Sequence, residues 1–326
     1  MKFRRLGNSG LRVSALGLGT NAFGRRADEA TSIRILHQAI DSGVTFIDTA
    51  NIYAGTESER IIGKALKGRR QDVILTTKAG LPTGSGPYDL GSSRQHLMRE
   101  IEKSLKRLDT DYLDLYQIHT FDPHTPLEET LRTLDDLVQS GKVRYIGASN
   151  YQAWEMVKAL GISDRFGWTR YVSNQISYSL ADRTPEQEMT AMCRDQGIGL
   201  IAYFPLAGGI LTGKYGSTDE VPAGSRAATD PRFKDRLDPH RLALAQTVVD
   251  LASSLQVPPA AVALAWLLTR PEVSSAIAGA TKPEQLEDNL KALDVELTED
   301  MLKTLDQASQ PFIYAPPFAS YRLPDV

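Results

Sequence analysis

A single cysteine, Cys193, stands among the 326 residues, so the chain forms no internal disulfide and carries no multi-cysteine zinc pattern. That usage points to a reducing compartment. An excess of one charge sign is lacking too. Lys and Arg number 37 against 40 Asp and Glu, a formal net charge of −3, and no run of five or more like charges occurs. This excludes the basic footprint of a nucleic-acid binder and a charged interaction tail. Nowhere do eighteen apolar residues follow one another, and the opening MKFRRLGNSGLRVSAL has no apolar h-region or cleavage site. The expectation is a cytoplasmic protein with no membrane span and no secretory signal. His37, His96, His124 and His240 lack metal-ligand spacing and read as surface or packing residues, so no metal is expected.

What is present is a regular alternation. Hydrophobic residues make up 41% of the chain, enough for a substantial core. Phe3–Leu6 and Leu11–Ala15 flank Asn8-Ser9-Gly10 and predict a hairpin. Short β-rich runs follow at Leu16–Thr20, Thr45–Thr49, Val73–Lys78, Leu113–His119, Tyr145–Asn150, Tyr171–Ser177, Gly199–Pro205 and Ser275–Ala280. Segments with helical spacing separate them. Ser93–Leu108 puts Leu97, Ile101, Leu105 and Leu108 on one face, Thr130–Val138 repeats the pattern, and Thr281-Lys282-Pro283-Glu284 opens a last barrel helix. With no linker or low-complexity break, eight such units predict one α/β domain over 1–326, a closed (β/α)₈ TIM barrel. Two stretches exceed the repeat: the loop Leu206–Pro239 after the seventh barrel strand and the aromatic tail Gln310–Val326.

Catalytic groups of such barrels sit at the C-terminal ends of strands. Asp48, Lys78 and His119 close three of the runs, and Tyr53 follows Asp48 by five residues. Taken singly, Asp48 could be a loop cap, Tyr53 a common loop tyrosine and His119 a satisfied core histidine. Lys78 is harder to dismiss, because a buried lysine is costly without an anion, and Asp48 on the neighbouring strand would supply one. A lysine beside a phenol is expected to lower its pKa from about 10, while His119 orients a carbonyl oxygen. The group is a proton donor for a developing alkoxide. It has no activated nucleophile, so a hydride-donating cofactor is the expected source of the electron pair.

These residues resemble the aldo-keto reductase family over nearly the whole chain. Gly43–Tyr53, Thr76-Thr77-Lys78, Tyr112–His119 and Gly141–Asn150 are similar to its signatures. The resemblance implies NADPH-dependent reduction of aldehydes or ketones, with NADH possible, and a catalytic tetrad of Asp48, Tyr53, Lys78 and His119. By the same resemblance Ser149, Asn150 and Gln175 hold the nicotinamide carboxamide and Tyr203 stacks on its ring. Gly19, Thr20, Asn21 and Asp48 are implied as cofactor contacts, as are Phe204, Pro205, Leu206, Gly209, Leu211, Lys214 and Arg226 in the loop toward the phosphates. Gly279, Thr281, Lys282, Gln285, Asp288 and Asn289 resemble the segment that holds the adenosine end. Phe204 stands where many members have a small hydroxyl residue. Gln285 stands where several have an arginine for the 2′-phosphate, a task that Lys282 would take over. Phe23, Tyr53, His119, Thr120 and Phe121, with the aromatic tail, are expected to shape the substrate pocket for a small carbonyl compound.

Two motifs are decoys. Gly208 to Lys214 has P-loop spacing, but Tyr215 stands where Ser or Thr should bind magnesium, and Gly17-Leu18-Gly19 hints at a Rossmann turn with its third glycine misplaced at Gly24. Two other functions compete: a cofactor-sensing regulatory subunit on the same fold, like the family's channel-associated members, and a lyase or isomerase using Lys78 as a Schiff base.

Overall fold

Alternating apolar runs can bury both of their faces only if the sheet they form closes on itself and is wrapped by helices. In the computed structural model, which describes residues 1–217, 221–223 and 225–323, this is what happens. A two-stranded antiparallel hairpin, β1 (Phe3–Arg5) and β2 (Arg12–Ser14), precedes eight barrel strands. These are β3 (Leu16–Gly19), β4 (Phe46–Asp48), β5 (Ile74–Ala79), β6 (Leu113–Ile118), β7 (Val143–Ser149), β8 (Tyr171–Ser177), β9 (Gly199–Tyr203) and β10 (Val273–Gly279). All barrel pairings are parallel, and β10 returns to pair with β3, so the expected TIM barrel is closed.

The outer layer begins with α1 (Glu29–Asp41), α2 (Glu57–Ala65), α3 (Arg94–Leu108), α4 (Leu127–Gln139), α5 (Ala153–Phe166) and α6 (Met189–Gln196). The long segment between β9 and β10 holds α7 (Arg226–Thr229), α8 (Pro231–Lys234), α9 (Pro239–Leu255) and α10 (Pro259–Leu268), and α11 (Pro283–Leu290) and α12 (Glu299–Ser309) follow β10. Ser93 caps α3 by accepting from the His96 N–H, and Leu97, Ile101, Leu105 and Leu108 are its buried face, as the spacing predicted. α4 starts three residues before the expected Thr130, where Pro126 delimits it. Residues 260–267 of α10 are buried all round, so that helix has no polar face.

Strand limits differ in small ways with clear causes. β7 and β10 each begin two residues early because Val143 pairs with Leu113 and Val273 with Leu200. β9 stops at Tyr203 because Phe204 turns left-handed, with φ 52°. The hairpin closes one end of the barrel. Its Leu6, Leu11 and Val13 pack in one cluster with Phe46, Leu115, Ile201 and Ile277 from four strands. Arg4 donates to the carbonyls of Leu268 and Val273, and Ser14 Oγ accepts from the Thr45 and Phe46 amides. With that end filled, the other end of the barrel is left for chemistry. Residues 218–220 and 224 of the loop after β9, and 324–326 of the tail, lie outside the described residues.

Candidate active site

Backbone pairing continues past the strand ends and draws three loops together. The amides of Thr49, Asn51 and His119 donate to the carbonyls of Thr76, Lys78 and Ala79. Asp48 ends β4, Lys78 is the penultimate residue of β5, and His119 follows β6. Tyr53 opens a tight turn in which Ala54, Gly55 and Thr56 all have positive φ, at 51°, 62° and 85°. For Ala54 and Thr56 that conformation costs roughly 1–2 kcal/mol each, strain held in the loop that aims the tyrosine.

Lys78 is fully buried and Asp48 nearly so. The ammonium donates to Asp48 Oδ1 and Oδ2 at 2.8 and 2.7 Å and to the Thr49 carbonyl at 2.9 Å. It lies 3.5 Å from the Tyr53 hydroxyl. Burial draws the lysine below its ordinary pKa, against the opposing pull of Asp48. With its protons so engaged, Lys78 is poorly placed to act as the amine nucleophile of a Schiff-base enzyme. The His119 ring packs edge-on to Tyr53, with centroids 6.0 Å apart. Burial and then the Lys78 charge push His119 well below the usual imidazole range, so it is neutral, and its buried Nδ1 has no partner among the described residues.

One expectation needs correction. Lys78 was expected to lower the Tyr53 pKa, but the phenol is pushed well above its ordinary value, by burial first and then by Asp48, Tyr321 and Tyr203. Burial dominates, and Asp48, which holds the ammonium at shorter range than the ammonium reaches the phenol, offsets the Lys78 charge. Tyr53 therefore keeps its proton.

A second layer is wired to the first. Gln175 Nε2 donates to Asp48 Oδ1 at 2.8 Å, and Ser149 Oγ donates to the Gln175 carbonyl at 2.9 Å. Asn150 has a left-handed backbone, φ 58°, which asparagine tolerates, and its Nδ2 donates to the His119 carbonyl at 2.9 Å. Tyr203 donates its hydroxyl to Asn150 Oδ1 at 2.7 Å. Thr20 Oγ1 donates to the Asp48 carbonyl at 2.8 Å.

A family model described as the aldo/keto reductase family matches residues 15–310. The chain belongs to the aldo/keto reductase family. It is 42% identical to an uncharacterized oxidoreductase, YrpG, of Bacillus subtilis (strain 168), covering 94% of this chain and 95% of that protein. It is 38% identical to a probable voltage-gated potassium channel subunit beta of Oryza sativa subsp. japonica, over 90% and 92% of the two chains. It is 33% identical to the versiconal hemiacetal acetate reductase of Aspergillus parasiticus, over 95% and 98%. Membership makes the chain an oxidoreductase by descent.

In this aldo/keto reductase the loop after β9 starts with a left-handed Phe204 over the buried Pro205 and Leu211 and the half-buried Leu206. Gly208 and Gly209 have φ of 65° and 100°. A Cβ at Gly208 would lie 2.2 Å from the Phe233 ring, and at Gly209, where Lys214 Nζ could move aside, it is the left-handed φ that favours glycine. Arg226 lies 5.0 Å over the Phe204 ring and 5.2 Å over Phe233, with Asp230 at 3.8 Å. At the far end, Gln285 Oε1 accepts from Thr281 N and Oγ1, at 2.8 and 3.1 Å, and Asp288 pairs with Lys291 at 3.3 Å. Gln285 is thereby tied back to the turn that precedes α11. Lys282 is exposed, Asn289 is buried, and Gly279 ends β10 beside Gly19 and Asn21.

The residues expected at the substrate pocket separate. Thr120 stays at the mouth, its Oγ1 donating to the Tyr321 carbonyl at 2.7 Å. Phe121 packs edge-on against Tyr151 and Trp154. Phe23 is fully buried in the main core and offers no accessible surface. The tail crosses the mouth instead. Tyr321 lies 6.4 Å from the His119 ring and 6.2 Å from that of Tyr203, whose hydroxyl is also 3.3 Å from the Ala319 carbonyl. The tail is fixed by Phe318 N donating to Asp182 and by Arg322 pairing with the buried Glu155 at 3.1 Å. The sequence reading missed Asp182, Glu155 and Arg322, because their partners lie more than 100 residues away and no local pattern marks them. Of the other histidines, His37 bonds to the Ala65 carbonyl and His96 to that of Tyr88, in packing roles, and no metal-ligand group occurs among the described residues.

Proposed function

We propose that the protein reduces aldehydes or ketones to alcohols with NADPH, and that Tyr53 delivers the proton. The observation that carries this reading is Lys78 locked onto both oxygens of Asp48, beside a protonated Tyr53 and a neutral His119 at the C-terminal ends of the barrel strands. The groups for a nicotinamide dinucleotide fit. Ser149, Asn150 and Gln175 present amide and hydroxyl groups in one connected network, and Lys214, lying against Gly209, supplies a cation for phosphates. When bound, the reduced nicotinamide supplies the hydride.

The chain's own residues do the rest. His119 carries one N–H as a neutral imidazole, and donating it to the substrate oxygen orients the carbonyl without adding a charge. As negative charge develops on that oxygen, Tyr53 transfers its phenolic proton there, and the nearby Lys78 steadies the phenolate that remains. Asp48 keeps Lys78 charged against its burial. In the oxidative direction Tyr53 takes the proton back. Lys282, exposed at the head of α11, is the cation proposed to favour NADPH over NADH. This reading takes 1–326 as one barrel domain working in the cytoplasm on small carbonyl compounds, supported by the lone, buried Cys193.

A second reading, a cofactor-binding subunit with little turnover, draws on the likeness to the rice protein named as a potassium channel beta subunit. One assay separates the two: loss of NADPH absorbance with a panel of aldehydes and ketones. The reductase reading expects aldehyde-dependent oxidation that falls by roughly 10²–10⁴-fold in Tyr53→Phe with NADPH affinity kept. Tight NADPH binding without turnover across the panel supports the subunit reading, and unchanged turnover in Tyr53→Phe refutes the proton-donor role.

A further inference from the structure

Tyr53 reaches Lys78 from a turn held in an unfavourable shape. Its own N–H donates to the Ala50 carbonyl at 3.1 Å, and the next three residues, Ala54, Gly55 and Thr56, all have positive φ. Such strain persists only where the surroundings over-determine it. Asn51, two residues before Tyr53 and fully buried, is fixed from two sides. Its N–H donates at 3.1 Å to the carbonyl of Lys78, whose ammonium lies 3.5 Å from the Tyr53 hydroxyl. Its side-chain Nδ2 donates at 2.9 Å to Oε2 of Glu100, on α3. Glu100 is buried too, with Lys103 on its other oxygen at 2.9 Å. Burial works to raise its pKa, but Lys103 and Asn51 outweigh that and hold it below the ordinary carboxylate value, so it is ionised. An ionised carboxylate only accepts, which fixes the amide with Nδ2 toward Glu100. Oδ1 is then buried with no partner among the described residues.

We infer that Asn51 is a positioning residue for the reaction: bound to Glu100, it anchors the turn that sets the Tyr53 phenol against Lys78. The inference rests on the proton-donor role proposed for Tyr53 and adds the group that holds the donor in place. Packing alone would be served by an apolar side chain of this size, without an orphaned buried carbonyl. What the amide adds is a directed bond to a charge, stronger than one between neutral groups, from the middle of the loop to a helix of the outer layer. Glu100 does not need Asn51 for its own charge, since Lys103 remains on its other oxygen. The dependence therefore runs from the helix to the turn. With the anchor gone, the strained residues can relax, and a phenol displaced by a fraction of an ångström transfers its proton more slowly while the cofactor and the carbonyl compound still bind.

The test is kinetic, with the aldehyde that wild type reduces best in the NADPH panel. Steady-state kcat and KM, the single-turnover rate with NADPH already bound, and NADPH affinity are measured for Asn51→Ala, Glu100→Ala, the double variant and Glu100→Gln. Both rates are expected to fall about tenfold in each Ala variant, with KM and NADPH affinity within about twofold of wild type. Because the two residues act through one bond, the double variant should be no slower than Asn51→Ala. Glu100→Gln keeps an acceptor for Nδ2 and should recover most of the rate. A merely structural role would lower the unfolding temperature and leave the kcat of folded protein unchanged, which overturns the inference. Losses that multiply in the double variant overturn it as well, since the residues would then act separately. Should Asn51→Ala not fold, Asn51→Ser, one bond too short to reach Glu100 from the same place, carries the same expectation. If wild type oxidises NADPH with no member of the panel, the proposed function fails and this inference falls with it.

Discussion

Replacing Asp48 with Asn tests the centre of the site as a question of charge. The side chain keeps its shape and one oxygen, so Lys78 Nζ and Gln175 Nε2 can still donate to Oδ1, as both do now at 2.8 Å. What disappears is the only charge that Lys78, fully buried, touches directly among the described residues. Leaving one partner of a buried pair uncompensated costs about 3–5 kcal/mol. With an unfolding entropy of about 2.1 cal/mol/K per residue, a chain of 326 residues should lose about 4–7 °C of thermal stability. Adding Lys78→Met removes the stranded charge, so the double variant should be more stable than the sum of the single losses predicts, by about 2 kcal/mol. Thermal and urea unfolding followed by tryptophan fluorescence would measure all three variants. Additive losses, or an Asp48→Asn penalty under about 1 kcal/mol, would mean that the pair does not hold the site and that Lys78 is balanced by something else.

Two further outcomes are expected. Tyr53, Tyr116, Tyr151, Tyr171, Tyr178 and Tyr203 are all pushed upward, by burial first. A folded pKa above the unfolded one gives stability that is full below about pH 10 and declines above it, by about 1.4 kcal/mol per pH unit for each such group. The urea midpoint should therefore drop steeply above about pH 10, and a midpoint unchanged to about pH 11 would contradict the burial of these hydroxyls. For the adenosine end, Lys282→Ala should weaken NADPH far more than NADH in a binding titration; equal losses would show that Lys282 does not read the 2′-phosphate.

How much of this was legible in the sequence depended on how local the signal was. The eight strands and the positions of Asp48, Lys78 and His119 were readable because a polar residue closing an apolar run is visible within ten residues. The wiring behind them was not. Gln175 reaches Asp48 across 127 positions, and Thr120 meets the tail across 201. α10 carries no amphipathic period because it is buried on every side, so spacing could not mark it. The Tyr53 shift was read in the wrong direction because a sequence puts Lys78 near the phenol but does not show how far the phenol is withdrawn from water, or that Asp48 holds the ammonium.

The closure of β10 onto β3 also sets a timetable for making the molecule. From Leu16 to Val273 the chain advances 257 positions before the first barrel strand meets its last neighbour. At a synthesis rate of about 5–20 residues per second, the wait is on the order of ten to fifty seconds. Throughout it the nascent sheet has two open sides, β3 at one and the latest strand at the other, each a row of unpaired amides and carbonyls. A pause or truncation anywhere before Val273 leaves those rows exposed, and the finished barrel has none.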